Sequence, residues 1–151
     1  MNKVSLTGSD TILVNNRVVS DLVDGDCIVL EFPNEIATLK TGKNGNVIYA
    51  MNETGKESTV NMRVLRGSAD DKFLNGLLVS QTSNFAGFIL MSGEFIKKVG
   101  DGEGNITNDT YIMSGGIFVK RVGAKNNAEG DTEQSVSIYE LKFANAPRAL
   151  T

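Results

Sequence analysis

Most of this chain is written in the pattern of β-strands, and that constrains its fold more than any other feature. "TILVNNRVVSDL" (Thr11–Leu22), "DCIVLEF" (Asp26–Phe32), "STVNMRVLR" (Ser58–Arg66), "GFILMSGEFIKKV" (Gly87–Val99), "TYIMSGGIFVKRV" (Thr110–Val122) and "SVSIYELKF" (Ser135–Phe143) are each rich in β-branched or apolar residues, or alternate with period two. Turn-rich pieces separate them. Asn15-Asn16 is suited to turn the first segment into a hairpin, and "GDGEGNITND" links two long runs that would pair as antiparallel neighbours. In "STVNMRVLR", Val60, Met62 and Val64 share one face while Asn61, Arg63 and Leu65 share the other, so one side is core. The last strand is less regular. Val136 and Ile138 oppose Tyr139, Leu141 and Phe143, which predicts a bulge or a strand covered on both sides.

One stretch breaks the pattern. In "GSADDKFLNGLLVSQTSNF", Ser68 followed by Asp71 forms a capping box, Asp70 and Asp71 suit the positive end of a helix dipole, and Phe73, Leu74, Leu77 and Leu78 fall on one helical face. A short helix over about 68–80 should therefore pack on a sheet. Gly76 weakens it by roughly 1 kcal/mol relative to alanine, so packing must hold it. The expected fold is mainly β: a β-sandwich or partly closed β-barrel with one flanking helix, filling a single domain over 1–151.

The connection between Phe32 and Ser58 is far longer than the usual 4 to 6 or so residues. Within it, "IATLK" and "VIYAM" flank "TGKNGN", which predicts an extended β-arm over about 33–57. Ile48, Tyr49 and Met51 would be its apolar anchors, and such an arm needs a partner to bury them.

Composition excludes several kinds of chemistry. The chain has no histidine and no tryptophan, so it lacks the usual general base, the commonest metal ligand and the best sugar-stacking side chain. The net charge of −3 and scattered basic residues argue against gripping nucleic acid. The single cysteine, Cys27, cannot make an internal disulfide, and its place in "CIVLEF" reads as a small buried hydrophobe. With no apolar leader at the N-terminus and no run approaching the roughly 18 apolar residues of a membrane span, a soluble chain made in the cytoplasm is expected. The sequons at Asn52, Asn105 and Asn108 then read as ordinary polar loop residues.

Three binding motifs are approached and missed. Both Gly-Lys pairs fail the phosphate loop: Gly42-Lys43 is followed by Asn44 and has Ala37 where the first glycine belongs, and Gly55-Lys56 is followed by Glu57 and has Ala50 there. Asp101 to Thr107 starts like a calcium loop but carries Ile106 in place of the turn glycine and Ile112 in place of the bidentate glutamate. The same residues put Asn105 where a dinucleotide fingerprint needs its third glycine. Glu31 and Glu94 are carboxylates set within strands, and a glycosidase-like pair is their lesser reading. No catalytic residue, cofactor or metal site is expected.

The strings "GKNGNVIYAMNETGKESTVNMRVLRGSADDKFLNGLL", "FAGFILMSGEFIKKVGDGEGNITNDTYIMSGGIFVKR" and "EGDTEQSVSIYELKFANAPRAL" together cover much of the chain in order. As a whole it resembles the tail tube (inner tube) proteins of contractile-tailed bacteriophages and related phage-tail-like particles. The resemblance implies a structural virion protein: homohexameric rings, joined through their sheets into an inner β-barrel, stack into a tube inside a contractile sheath. It implies as partners other copies of the chain, the sheath, the tape-measure protein, and the baseplate and tail terminator proteins. DNA would pass through the lumen without specific binding. It implies residence in the virion tail after synthesis in the bacterial host cytoplasm. The arm would contact neighbouring subunits and the adjacent ring through Lys40, Lys43, Asn44, Asn46, Ile48, Tyr49, Met51 and Lys56, with the three lysines meeting a neighbour's acids. Glu31, Glu94 and Glu140 are the lumen candidates by strand alternation, offset by Lys97, Lys98, Lys120 and Lys142. Two rivals remain: a tail completion or baseplate adaptor ring of the same fold, and a monomeric β-sandwich ligand-binding module.

Overall fold

A computed structural model describes residues 2–151. Eleven strands and one α-helix are found among them: β1 (Ser5–Leu6), β2 (Thr11–Val14), β3 (Arg17–Val18), β4 (Ile28–Glu31), β5 (Ala37–Thr41), β6 (Val47–Met51), β7 (Ser58–Leu65), α1 (Ala69–Ser83), β8 (Met91–Gly100), β9 (Ile106–Phe118), β10 (Val136–Asn145) and β11 (Arg148–Leu150). The fold is mainly β with a single flanking helix, as the strand patterning and the one helical stretch predict. Nine strands form one antiparallel sheet in the order β3-β2-β8-β9-β10-β7-β4, with β1 beside β8 and β11 beside β9.

β10 and β11 are one strand path broken at Pro147, which has no N–H to give; its carbonyl instead accepts from Ile112 at 3.0 Å. β9 is thus paired along nearly its whole length. The sheet curls until its two edges almost meet. Val19 N–H donates to Ile12 of β2 at 2.9 Å, and only two residues later the Asp21 carbonyl accepts from Leu65 of β7 at 2.8 Å. Two residues of extended chain span about 7 Å at most, so the β2 and β7 edges are joined by this short bridge and the sheet forms a partly closed barrel.

The core lies on the concave face. Ile12, Val14, Val60, Met62, Val64, Met91, Met113, Tyr139, Leu141 and Phe143 are almost fully buried, and they come from β2, β7, β8, β9 and β10 by strict alternation. α1 closes the barrel mouth with Leu74 and Leu78 buried and Phe73 and Leu77 packed alongside. Ser68 caps it, its Oγ accepting from Asp71 N–H at 3.2 Å, and Asp71 Oδ2 returns a bond to Gly67 N–H at 2.8 Å.

Four details depart from the sequence expectation. The helix runs to Ser83 because buried Gln81 pins its last turn to the sheet: Nε2 donates to the Phe118 carbonyl and Oε1 accepts from Phe118 N–H, both at 2.8 Å. The register of β10 on β7 is unbroken from Val136 to Phe143, so no bulge lies there; Ser137 is buried because its Oγ bonds Asp71 at 3.2 Å. The register shift falls instead between β8 and β9: Met91 faces Gly116 and Gly93 faces Met113, so β9 carries one extra residue there, at the turn of Gly115 with its φ of +66°. Finally, Gly87–Leu90 and Val119–Val122 lie outside the strands that the apolar runs predict.

Candidate functional site: the β5–β6 hairpin

The connection between β4 and β7 forms its own two-stranded sheet, and among the described residues no other strand pairs with either of its edges. Ala37 pairs with Met51, Leu39 with Tyr49 and Thr41 with Val47. The strands are joined by a three-residue loop, Lys43–Gly45, in which Asn44 and Gly45 both take positive φ, and Gly42 N–H closes it onto the Asn46 carbonyl at 2.7 Å. Asn44 and Asn46 therefore shape the tip.

The base is more tightly built than the blade. Asn52 N–H donates to the Ile36 carbonyl at 2.8 Å and its side chain donates to Thr38 Oγ1 at 2.8 Å; Asn34 reaches the Thr54 carbonyl at 3.1 Å. Gly55 is buried against this turn, and a Cβ there would sit 2.7 Å from the Ile36 Cα, so only glycine fits. The hairpin is thus held firmly at its root and leaves its blade in solvent.

Register divides the blade into two unlike faces. Ala37, Leu39, Thr41, Val47, Tyr49 and Met51 form one uncharged face, with Tyr49 76% and Met51 73% exposed. Thr38, Lys40, Ile48 and Ala50 form the other. Ile48 does not stand with Tyr49 and Met51 as a common set of anchors would require; it lies opposite them, paired with Lys40. Leu39 and Val47, which the sequence reading passed over, complete the apolar face. The lysines also separate. Lys43 sits at the tip, whereas Lys56 is at the root with its Nζ 2.9 Å from Glu53 Oε2, and that hydrogen bond holds the Glu53 carboxyl below its ordinary range.

The three strand carboxylates share the convex face of the main sheet. Glu31 pairs with Thr59, Glu94 with Ile112 and Glu140 with Asn61, all out of phase with the core residues beside them. This face is mixed in charge. Lys120 Nζ lies 3.2 Å from Glu140, Lys142 Nζ 3.8 Å from Glu57, and Lys98 and Arg63 alternate onto the same side. Arg63 is held by a two-pronged contact to Glu133 at 2.7 and 2.9 Å, which raises its pKa further. Lys97 is on the other face, 2.8 Å from Asp10.

Among the described residues no group of three or more cysteines and carboxylates is placed to hold a metal ion. Asp101 spends its oxygens on its own turn, accepting from Glu103 N–H at 2.7 Å and from the Asn105 side chain at 2.6 Å. A recess of about 270 Å³ beside Arg66 is structural: the guanidinium donates to the carbonyls of Gln134, Gly123 and Val136 and so ties down the 119–135 connection. No helix among the described residues is long and apolar enough to cross a membrane. No protein-family model matches the chain, and no curated protein sequence matches it.

Proposed function

We propose that this chain is a self-assembling structural subunit of the tail-tube kind that its sequence resembles, whose copies associate through the β5–β6 hairpin into six-membered rings and stacked tubes. The observation that carries this reading is the hairpin itself. A two-stranded ribbon is marginal in water, and this one exposes a complete apolar face and two free edges on a domain whose core is otherwise fully formed. Burial of that face on another copy supplies what the isolated subunit lacks. Contacts of this kind are heterologous: they close into rings where rotation permits and continue into filaments where it does not. The convex face, with Glu31, Glu94 and Glu140 interleaved with lysines, is the surface offered to the lumen, through which DNA and a tape-measure protein would pass. Sheath, baseplate and terminator proteins are the partners this role entails, and the virion tail its location.

Negative-stain electron microscopy of the concentrated protein, beside the same chain lacking residues 37–51, tests the proposal. Hollow tubes or six-fold rings are expected from the full chain and none from the shortened one. Tubes formed equally by both would show that the hairpin is not the assembly element.

A further inference from the structure

We infer that the apolar shoulder made by Phe85, Ile89 and Leu90, between α1 and β8, is the seat for the β5–β6 hairpin of a second copy; this rests on the assembly reading above. Three large apolar side chains stand bare within six residues of the chain here: Ile89 is 86% exposed, and Phe85 and Leu90 are both more than half exposed. These residues were not needed to fill the core, although "GFIL" continues directly into β8. Beside them a recess of about 470 Å³, lined in part by Asn15, Leu77, Phe88 and Leu90, offers a slot to an inserted ring.

Charge complements shape. No charged residue occurs between Lys72 and Glu94, and α1 ends at Ser83 with no basic residue in its last turn to offset the negative end of its dipole. The hairpin brings the opposite character: Lys40 and Lys43, with no acid between Glu35 and Glu53. Laid on the shoulder, its apolar face meets Phe85, Ile89 and Leu90, with Lys43 at its tip available to the helix C-terminus and Lys40 turned to the opposite face.

Topology separates the two surfaces within one copy. Ser58, Phe143, Gly116 and Met91 form one row across β7, β10, β9 and β8. β4 and β8 are both antiparallel to β7 through this ladder, so they run parallel to each other. The hairpin is rooted beyond the finishing end of β4, whereas the shoulder lies before the starting end of β8, about three strand spacings, or ~14 Å, along the row. Both strand ends lie at the level of this row, and because donor and acceptor are different surfaces of one copy, a contact made through them between copies is heterologous and head-to-tail.

The test compares the unmodified chain with Ile89→Asp and Tyr49→Asp by sedimentation across a concentration series, with thermal unfolding as the folding control. Both substitutions replace exposed side chains, so the midpoint of unfolding should hold. Each should raise the concentration needed for assembly by at least about tenfold, since an unpaired carboxylate is placed in an apolar contact. In a Cys27→Ser background, copies carrying Tyr49→Cys mixed with copies carrying Ile89→Cys should form a mixed disulfide on oxidation, in excess of either homodimer. That cross-link decides the matter if Ile89→Asp alters folding. Normal assembly of Ile89→Asp with loss in Tyr49→Asp, and no mixed cross-link, would overturn the shoulder as the seat and leave the assembly reading standing. Loss in Ile89→Asp alone would show that something other than the hairpin occupies the shoulder. Normal assembly of both, or an unmodified chain that stays monomeric throughout the series, would overturn both readings.

Discussion

Two long antiparallel hairpins in this chain have opposite fates. β8–β9 has β1 and β2 along one edge, β10 and β11 along the other, and a packed inner face that continues outward through Phe95 and Tyr111, whose ring centroids are 6.4 Å apart. β5–β6 has a well-formed loop and a tight root, yet among the described residues no strand lies along either edge, and its apolar face is exposed. Pairing is unbroken through β5–β6, and in β8–β9 it is unbroken from Gly93 to Gly100. What differs is the company each keeps, and a ribbon's stability comes from its neighbours rather than its own ladder.

Substitutions sharpen the contrast, the largest effect falling in the embedded hairpin. Met113→Ala in β9 removes a fully buried side chain and should destabilise the protein by about 2–5 kcal/mol, read by denaturant unfolding. Gln81→Ala should cost about 1–3 kcal/mol, because it orphans the Phe118 N–H and carbonyl at the end of the same strand. If that variant unfolded like the parent, the helix would not be what holds the β9 end.

Asp70 gives a similar effect with a pH signature. Burial opposes its charge, but the N–H groups of Asp21 and Ser20 and the Arg17 guanidinium together outweigh that and hold its pKa below the ordinary value. A carboxyl depressed in the folded state adds stability that is complete above its unfolded pKa of about 3.9 and lost as pH falls through the folded value. Asp70→Asn should therefore destabilise at neutral pH by about 1–3 kcal/mol and flatten the acid limb of the stability curve below about pH 4. An unchanged acid limb would mean that the bridge between the β2 and β7 edges is held otherwise. The smallest effect belongs to the free hairpin: Tyr49→Ser should shift monomer stability by no more than about 0.5 kcal/mol while weakening assembly.

How far the sequence alone reaches follows the same division between local and distant causes. The capped start of α1, the Asn15-Asn16 turn, the inward Val60, Met62 and Val64, and the common face of Glu31, Glu94 and Glu140 all depend on neighbours a few residues away or on strict alternation. The burial of Asp70 and Gln81 was not legible, because their partners lie 49 or 50 and 37 residues distant and both side chains look like exposed helix positions. The hairpin's faces turn on a single residue of loop length. A two-residue Asn44-Gly45 turn fits the sequence equally well, but it would set Lys40 opposite Tyr49. The three-residue loop brings Leu39 there instead and gathers the apolar side chains on one face. "GFIL" misled because a short apolar run looks alike whether it enters a sheet or lies just outside one.

In the proposed assembly, the β5–β6 face stays bare until another copy covers it. Amide hydrogen exchange, followed residue by residue in dilute and in concentrated protein, tests it most directly. Rapid exchange is expected for the blade in the dilute sample, slow exchange in β7, β9 and β10 throughout, and protection of residues 37–51 only with assembly. Equal protection of the hairpin at every concentration, or assembly that leaves it unprotected, would show that another copy does not cover this face.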